Sequence, residues 1–337
     1  MTENPIFIVG TERSGSNLLR LLLNELPNVT IPHPPHLLRD LAPLVHRYGD
    51  LALDRNFRSL VADAAKLVRL HFAPWPFAID EHKVLSSAPR SLYGVYAAFY
   101  EQYRLASGKP RWGCKSTFMI HQVEEVLRHH LAPRFLHLVR DPRDVAVSAR
   151  DSVFNHFHPF YVAGLWRDEQ QIGLDWAALH PTQWLTIRYE DLLAAPEATL
   201  QGVCSFLGEP YSPDLLRYFE REPARNLATL SGSWQNLSQP ILRNNREKYL
   251  TELSAKEIAL IESIAGRQMK AFGYELRSTG SPSPPSVARR AAYFASEKIQ
   301  QWRMEFRSLA LDANAHARLK KRLFLRYLAC PLVGRNF

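Results

Sequence analysis

An α/β fold, with a central parallel sheet flanked by helices and a helical extension at the C-terminus, is the fold class that the sequence predicts. Short apolar segments typical of buried strands occur at residues 5–9, 111–115, 134–139 and 183–192. Helical patterns separate them. Residues 91–106, for example, carry apolar side chains at helical spacing, with Ser91 as the cap. Strands that alternate with helices indicate a parallel sheet covered on both faces.

The other helices are predicted from the same patterns. They cover residues 16–26, a stretch with breaks from the Pro-rich segment at 31–43 to about 71, residues 121–130, a helix after the turn at 140–144, and residues 196–207. No internal repeat is apparent.

Three segments are predicted along the 337 residues: a main domain at 1–276, a flexible linker at 277–286, and a basic helical tail at 287–337. The linker is rich in Ser, Pro and Gly. The tail holds 11 Lys and Arg against 3 Asp and Glu, so it accounts for +8 of the net charge of +9. The main domain is therefore nearly neutral, which argues against a nucleic-acid-binding protein.

The cysteine count and the hydropathy indicate a cytoplasmic protein. Cys114, Cys204 and Cys330 are an odd number without metal-ligand spacing, as expected for reduced thiols. No apolar run approaches the length of a membrane span, and the first strand begins too early to follow a signal peptide.

The segment "FIVGTERSGSNLL", residues 7–19, runs from a strand through a Gly- and Ser-rich turn into a Leu-rich helix. Gly10 and Gly15 have the spacing of a P-loop, but Ser16 replaces its lysine and Asn17 replaces its magnesium-binding hydroxyl. The backbone and the helix N-terminus still favour a phosphate, and Arg13 adds a forked cation. The alternative is a plain turn between a strand and a helix.

A second anion site is predicted at "RDPRDVAVS", residues 140–148. Arg140 leaves a core strand at its carboxyl end, where open α/β sheets bind ligands. Ser148 lies about two turns along the following helix, so the two side chains are expected to bind a second phosphate. Taken singly, each residue also fits a strand-end ion pair or a solvated serine.

With these segments the chain resembles the sulfotransferases that use 3′-phosphoadenosine 5′-phosphosulfate (PAPS). "GTERSGSNLL" resembles their 5′-phosphosulfate loop, "LVRDPRDVAVS" their 3′-phosphate motif, and "RYEDLLAAPEATLQGVCSFLG" their Tyr-Glu-Asp-Leu segment. The resemblance covers about residue 5 to Tyr274, and its motif spacing is closer to the tyrosylprotein branch than to the cytosolic branch. It implies a P-loop NTPase-like fold and in-line transfer of a sulfonate group, without a metal.

The resemblance also implies roles for individual residues. The 5′-phosphosulfate is expected at Arg13, Ser14, Gly15, Ser16 and Asn17, and the 3′-phosphate at Arg140 and Ser148. Tyr189 matches a tyrosine beside the adenine, although it also fits a core position at a strand end.

Further expected site residues follow from the same comparison of motifs. Lys115 falls where related enzymes place a lysine near the sulfonate, and a lysine directly after buried strand residues is otherwise costly. "SGSWQNLSQPILRNNREKY" resembles a later cofactor loop of the tyrosylprotein branch. Its spacing assigns Ser233 and Lys248 to the site, with Arg246 as the alternative to Lys248.

The catalytic base is where the chain departs from that branch. The position of the branch's glutamate corresponds to Pro34, and no carboxylate occurs between Glu25 and Asp40. His33 and His36 bracket the position, and histidine titrates near neutral pH. We expect His36 to be the base, because it begins a helix after Pro35, with an ionisation near its intrinsic pKa of about 6.5. A solvated His36 is the alternative.

Two apolar stripes characterise the tail. The first comprises Ala295, Ile299, Trp302, Phe306 and Leu309; the second comprises Leu319, Leu323 and Tyr327 among basic residues. These basic amphipathic helices fit packing on their own domain or on a partner subunit, interfacial membrane binding, or docking to an acidic carrier.

The function expected from the sequence is sulfonate transfer to a small-molecule or lipid-like acceptor. A nucleotide-dependent P-loop kinase is the alternative enzyme, but the loop lacks the lysine and the hydroxyl that such a kinase needs. A non-catalytic nucleotide-binding scaffold is the third possibility.

Overall fold

The computed structural model describes residues 4–150, 152, 156–230, 232–278, 285–311 and 314–330, and for 233 and 308–311 only the backbone. Within these residues there are five strands: β1 (Ile6–Gly10), β2 (Val29–Thr30), β3 (Arg111–Lys115), β4 (Arg134–Val139) and β5 (Trp184–Arg188). They form one sheet in the order β2-β3-β1-β4-β5, with every pair parallel. The predicted α/β fold with a parallel sheet is confirmed.

Helices cover the sheet. They are α1 (Ser16–Asn24), α2 (Leu37–Leu41), α3 (Asp54–Arg69), α4 (Glu81–Ser87), α5 (Leu92–Ser107), α6 (Val123–His129), α7 (Pro142–Ala149), α8 (Pro159–Leu179), α9 (Tyr189–Ala194), α10 (Pro196–Leu207), α11 (Glu222–Leu230), α12 (Tyr249–Glu252), α13 (Ala255–Ala271), α14 (Val287–Leu311) and α15 (Ala315–Ala329). Short 3-10 helices lie at Ala42–Tyr48, Thr117–Gln122, Pro213–Glu220 and Gly232–Ser238. Ser91 caps α5 as predicted, because its Oγ accepts the Gly94 N–H at 2.9 Å.

The two faces of the sheet carry different apolar cores, as the alternation of strand side chains requires. Ile6 and Ile8 of β1 pack with the leucines of α1, whereas Phe7 lies on the other face with Trp112 and Phe135. The Phe7 and Phe135 ring centroids are 5.5 Å apart. Burial on both faces explains why the strands read as continuous apolar runs.

Parallel pairing brings the carboxyl ends of the central strands to one edge of the sheet. Ile8 of β1 lies opposite both Lys115 of β3 and Leu136 of β4. The loop after β1, Lys115 at the end of β3 and Arg140 after β4 therefore meet at this edge.

The prediction of one strand at 183–192 is wrong for the second half of this segment. The strand ends at Arg188, and Tyr189 begins α9. The Glu190 carboxylate accepts the Asp141 backbone N–H at 2.9 Å and the Tyr274 hydroxyl at 2.8 Å. These contacts join parts of the chain that are remote in sequence, so the local pattern did not indicate them.

The tail helices contact the main domain. In α15, Phe324 and Leu328 join the apolar core around Phe7, and Lys321 Nζ lies 2.6 Å from an Asp40 carboxylate oxygen. Of the predicted linker, 279–284 lie outside the described residues, while the Ser278 N–H donates to Glu262 at 2.7 Å.

Most side chains of the apolar stripes predicted in the tail do not pack on the main domain, although Leu319 of the second stripe is half-buried. In the first stripe Ala295, Ile299, Trp302 and Phe306 are exposed, and the Leu309 side chain lies outside the described residues. In the second stripe Leu323 and Tyr327 are exposed. No helix in the described part of the chain is long and apolar enough to span a bilayer.

Candidate active site

The turn between β1 and α1 requires glycine at two positions. Gly10 has a φ of 133° and Gly15 a φ of 91°. A Cβ on Gly10 would lie 2.3 Å from the Leu138 carbonyl oxygen, and one on Gly15 would lie 2.4 Å from the Tyr189 ring. Both the backbone conformation and the close packing therefore exclude larger residues.

Polar atoms of this turn are buried without partners. Ser14 Oγ and Asn17 Oδ1 have no hydrogen-bond partner among the residues that the structure describes. Ser16 begins α1, and the first backbone N–H groups of a helix have no partner within it. The Ser14 hydroxyl and the free backbone N–H groups are donors, and unpaired donors at a helix N-terminus fit a bound anion, whereas Asn17 Oδ1 is an acceptor.

Arg13 joins the turn to α7. Its Nε donates to Ser148 Oγ at 3.1 Å. Its φ of 71° is unusual for a residue other than glycine, so the backbone is strained where the guanidinium is positioned.

Arg140, directly after β4, is held against the same turn. Its Nη1 donates to the Arg13 carbonyl oxygen at 3.0 Å, and its guanidinium lies 4.7 Å from the centre of the Tyr189 ring. An Asp144 carboxylate oxygen lies 3.7 Å from Arg140 Nη2. Arg140 Nε is buried and has no hydrogen-bond partner among the described residues. The arginine is thus positioned by neighbours while one N–H remains for a ligand.

The segment before α12 completes this side. Asn245 Nδ2 donates to the Tyr189 hydroxyl at 2.8 Å. The Asp144 carboxylate accepts the backbone N–H groups of Glu247 and Tyr249 at 2.8 and 3.0 Å. The loop that was predicted to approach the cofactor is therefore fixed to α7.

A cleft of about 830 Å³ opens above these groups, lined among others by Arg13, Arg140, Ser148, Tyr189, Trp234 and Lys248. Arg246 is exposed and is not among the described residues that line it. The Ser233 side chain lies outside the described residues. The structure thus brings together most of the residues that the sequence assigns to the donor.

A second cavity, of about 610 Å³, adjoins this cleft at the turn. Lys115, His33 and His36 line it. Arg13, Ser16, Asn17, Trp234 and Met304 line both cavities. The turn after β1 therefore separates two adjoining spaces, which is the arrangement that transfer between two ligands requires.

Lys115 is buried at the end of β3, with a side chain that is 8% exposed. Burial, together with the nearby cation of Arg20, lowers the pKa of Lys115 to about 7, while the carboxylate of Glu12 opposes the shift. The ammonium form of Lys115 in this environment becomes more stable when a negative charge binds beside it.

His36 is the N-cap residue directly before α2, close to the helix start that the sequence predicts, with a left-handed φ of 61°. Its Nδ1 lies 3.3 Å from Ser116 Oγ, and the ring is partly buried rather than solvated. Burial, with the nearby cations Arg39 and Lys115, lowers the pKa of His36 well below 6.5. The expected ionisation near 6.5 is therefore wrong, because the imidazolium would have to form in a buried, positively charged site.

His33 is enclosed more tightly. Its ring centroid is 5.1 Å from that of His71 and 5.6 Å from that of Trp234. Neither ring nitrogen has a hydrogen-bond partner among the described residues. Burial lowers the pKa of His33 well below 6.5 as well.

Sequence reasoning did not identify several residues of the second cavity. Glu12, in the turn beside Arg13, lines it, and burial raises the pKa of this carboxyl group. The position of Glu12 between Gly10 and Gly15 could have indicated that it lies at the site. Met304 of α14 and Leu319 of α15 also line the cavity, and no local pattern indicated that the tail reaches the site.

Within the described residues no cluster of His, Cys, Asp or Glu has the arrangement of a metal site.

Comparisons with known proteins agree with this fold. The model of the Sulfotransferase family matches residues 5–213. An uncharacterized protein of Aquifex aeolicus (strain VF5) is 24% identical over 262 residues, which cover 74% of this chain and 32% of that protein. The chain therefore spans about a third of the length of this curated relative.

Two solved structures are similar over most of their length. The sulfotransferase domain of the curacin biosynthetic pathway is 23% identical, with a TM-score of 0.57 over 81% of this chain and 98% of that domain. The sulfotransferase domain of the Synechococcus PCC 7002 olefin synthase is 21% identical, with a TM-score of 0.54 over 81% and 97%. The fold is therefore the one that sulfotransferase domains adopt.

Proposed function

The chain belongs to the Sulfotransferase family, and from this premise we propose that it moves a sulfonate group from PAPS to a hydroxyl or amine of a small-molecule or lipid-like acceptor. Family and fold support sulfonyl transfer as the activity. The observation that carries the donor assignment is the contact of Arg13 with Ser148 and Arg140, because it joins the two predicted phosphate sites in one cleft.

The residues present fit such a donor. The Ser14 hydroxyl and the first backbone N–H groups of α1 supply unpaired donors for the 5′-phosphosulfate. Arg140 Nε supplies an unpaired donor for the 3′-phosphate, with Ser148 beside it. Tyr189 and Trp234 line the same cleft and offer aromatic surface to an adenine. Lys248 is favoured over Arg246, because only Lys248 lines this cleft.

When bound, PAPS supplies an activated sulfonate on a phosphate leaving group. Lys115 and Arg13 both line the acceptor cavity, so their charges would stabilise the negative charge that develops during transfer. The low pKa of Lys115 indicates that its ammonium form is poorly stabilised until an anion binds. Its electrostatic contribution is then largest at the moment of reaction.

The acceptor proton is assigned to His36. Because burial lowers its pKa, the ring is neutral at pH 7, so it has a free nitrogen for the proton, but it is a weaker base than an exposed imidazole. Glu12 is the second candidate, since it lines the same cavity and its raised pKa makes it a stronger base than an exposed carboxylate.

The acceptor cavity favours a ligand with a large apolar part. Its volume of about 610 Å³ suits a small molecule. Phe72, Trp234, Met304, Leu319 and Leu325 give it aromatic and aliphatic surface. Polar and charged side chains, Lys115 and His36 among them, line the rest.

The experiment is a transfer assay with PAPS that carries a labelled sulfonate, against a panel of alcohols, phenols and amines with short and long alkyl chains. We expect label in at least one alkyl-bearing acceptor, without added metal, and loss of transfer in Lys115→Ala. Transfer of the γ-phosphate of ATP in a parallel assay would instead support the kinase alternative. Binding of adenosine 3′,5′-bisphosphate without any transfer would support the scaffold alternative.

A further inference from the structure

Helix α14 presents an apolar stripe to solvent. Ile299 is 57% exposed, and Trp302 and Phe306 are each 67% exposed. Spacings of three and four residues place the three side chains, together with exposed Ala295, on one face of the helix. Large apolar side chains that cluster in this way mark an interaction surface.

The opposite face of α14 is the one that packs on the protein. The Glu297 carboxylate is buried and accepts the backbone N–H groups of Phe157 and His158 at 2.9 and 2.8 Å. One turn further on, Gln301 and Met304 line the acceptor cavity. The helix is therefore held in place without the stripe, whose side chains are left for another surface.

Basic residues flank the stripe. Lys298 and Arg303 lie on α14 on either side of it and are exposed. Further exposed cations on the two tail helices are Arg289, Arg290, Lys320 and Arg326. Residues 287–337 carry a net charge of +8. An apolar stripe bordered by cations is complementary to a surface that has an apolar layer beneath an outer layer of negative charge.

We propose that the α14 stripe docks on an anionic lipid surface, with Trp302 and Phe306 inserted at the level of the headgroups and Lys298 and Arg303 paired with lipid phosphates. An amphipathic helix of this kind lies in the plane of the interface, and its affinity combines buried apolar area with attraction to anionic lipid. A second copy of the chain is a poorer partner, because each copy would bring the same positive charge to the contact.

Docking places the acceptor cavity about one helix diameter, roughly 10 Å, from the lipid, since opposite faces of α14 form the stripe and part of the cavity wall. A lipid-like acceptor would then reach the cavity from the membrane. This consequence rests on the proposed function, whereas docking itself does not depend on the donor or on any transfer reaction.

The test is sedimentation of the full chain with vesicles of pure phosphatidylcholine and with vesicles in which about a third of the lipid is phosphatidylserine. We expect binding to the anionic vesicles only. Trp302→Ala with Phe306→Ala should weaken binding at least about tenfold. Lys298→Gln with Arg303→Gln should weaken it about 25-fold, since each cation near an anionic surface contributes about a factor of five.

Matched controls change the same chemistry elsewhere. Leu131 and Leu179 are 90% and 68% exposed, so their joint replacement by Ala removes two exposed apolar side chains away from α14. Lys256→Gln with Lys270→Gln removes two exposed cations from α13. Both control variants should bind as the unmodified chain does, and circular dichroism checks that every variant is folded.

Two results would overturn the proposal. One is absence of binding to anionic vesicles, or binding that the α14 variants and the controls reduce equally. The other is a concentration-dependent dimer that the Trp302 and Phe306 variant dissociates while vesicles are not bound, which would assign the stripe to a second copy.

Discussion

Arg13 Nε and Ser148 Oγ are 3.1 Å apart, although 135 positions separate the two residues in the chain. This hydrogen bond joins the turn after β1 to helix α7. Arg140 reinforces it by donating to the Arg13 carbonyl oxygen at 3.0 Å. The groups proposed for the two ends of the donor are therefore one connected unit, which fixes their separation before a ligand arrives.

The Gly15→Ala variant tests this packing. A Cβ would meet the Tyr189 ring at 2.4 Å, at a φ of 91° that L-residues rarely adopt. We expect a loss of about 1 to 3 kcal/mol in stability and a marked loss of nucleotide affinity. Thermal unfolding and calorimetry measure the two effects.

The matched control is Gly202→Ala in α10, where a Cβ would meet nothing within 4 Å. It should raise stability by about 0.5 to 1 kcal/mol, because alanine is the better helix former. Equal stabilisation by both variants would show that the turn tolerates a side chain and is not closely packed.

Lys115 should govern the alkaline side of the pH profile. A lysine is charged below its pKa, and the pKa of Lys115 is lowered to about 7. We therefore expect kcat/KM to fall as the pH rises above about 7. In Lys115→Arg the guanidinium stays charged, so any activity that remains should lack this alkaline fall. A profile that is unchanged in Lys115→Arg would remove Lys115 from the reaction.

The base is tested by three single variants measured together. His36→Ala should lower kcat by about 10² to 10⁴ while adenosine 3′,5′-bisphosphate still binds. His33→Ala should be mild, because its ring is enclosed by His71 and Trp234. Since the pKa of His36 lies well below 6.5, the acidic fall in kcat/KM should also lie well below pH 6.5.

Glu12→Gln is the variant that tests whether Glu12, instead of His36, is the base. If it abolishes turnover with nucleotide binding intact, while His36→Ala stays active, the base is the carboxylate of the turn. The glutamine keeps the size of the side chain, so a structural effect is minimised.

Buried neutral histidines should make the protein sensitive to mild acid. Burial lowers the pKa of His137 to about 4, so the folded state favours the neutral ring. Above the unfolded pKa of about 6.5 the ring is neutral in both states and costs no stability. As the pH falls from there towards 4, the unfolded chain binds the proton and the folded chain does not, so the free energy of unfolding decreases. Between about pH 6.5 and about pH 5 the loss is about 2 kcal/mol for this residue.

Urea unfolding at about pH 7 and about pH 5 measures this dependence. His137→Leu should show a smaller difference between the two pH values, and replacement of the exposed His46 should leave the difference as it is. An identical pH dependence in His137→Leu would show that this ring does not carry the effect.

The sequence predicted the sheet well because buried parallel strands are apolar on both faces. It missed β2, which has only two residues, Val29 and Thr30, too few for a pattern. It also extended the last strand past Arg188, since the contacts that begin α9 at Tyr189 come from Asp141 and Tyr274.

The positions of Arg140 and Lys115 were predictable, because each residue lies at the end of a strand and there lines the cleft or the adjoining cavity. The lowered pKa of His36 was not predictable, because the burial of this side chain depends on elements as distant in sequence as α15. Lys321 of α15 donates to the Pro35 carbonyl oxygen at 2.8 Å. Amphipathic stripes likewise reveal that a face is apolar without revealing what covers it, as Trp302 illustrates.

The central claim is that this cleft binds a nucleotide with phosphates at both the 3′ and the 5′ position. Calorimetry with adenosine 3′,5′-bisphosphate, adenosine 5′-phosphate and ATP, without magnesium, tests it most directly. We expect the bisphosphate to bind most tightly, and Arg140→Ala to weaken it by about 1.5 to 3 kcal/mol while adenosine 5′-phosphate loses little. Tightest binding of ATP, or an equal loss of both adenosine phosphates in Arg140→Ala, would contradict the account.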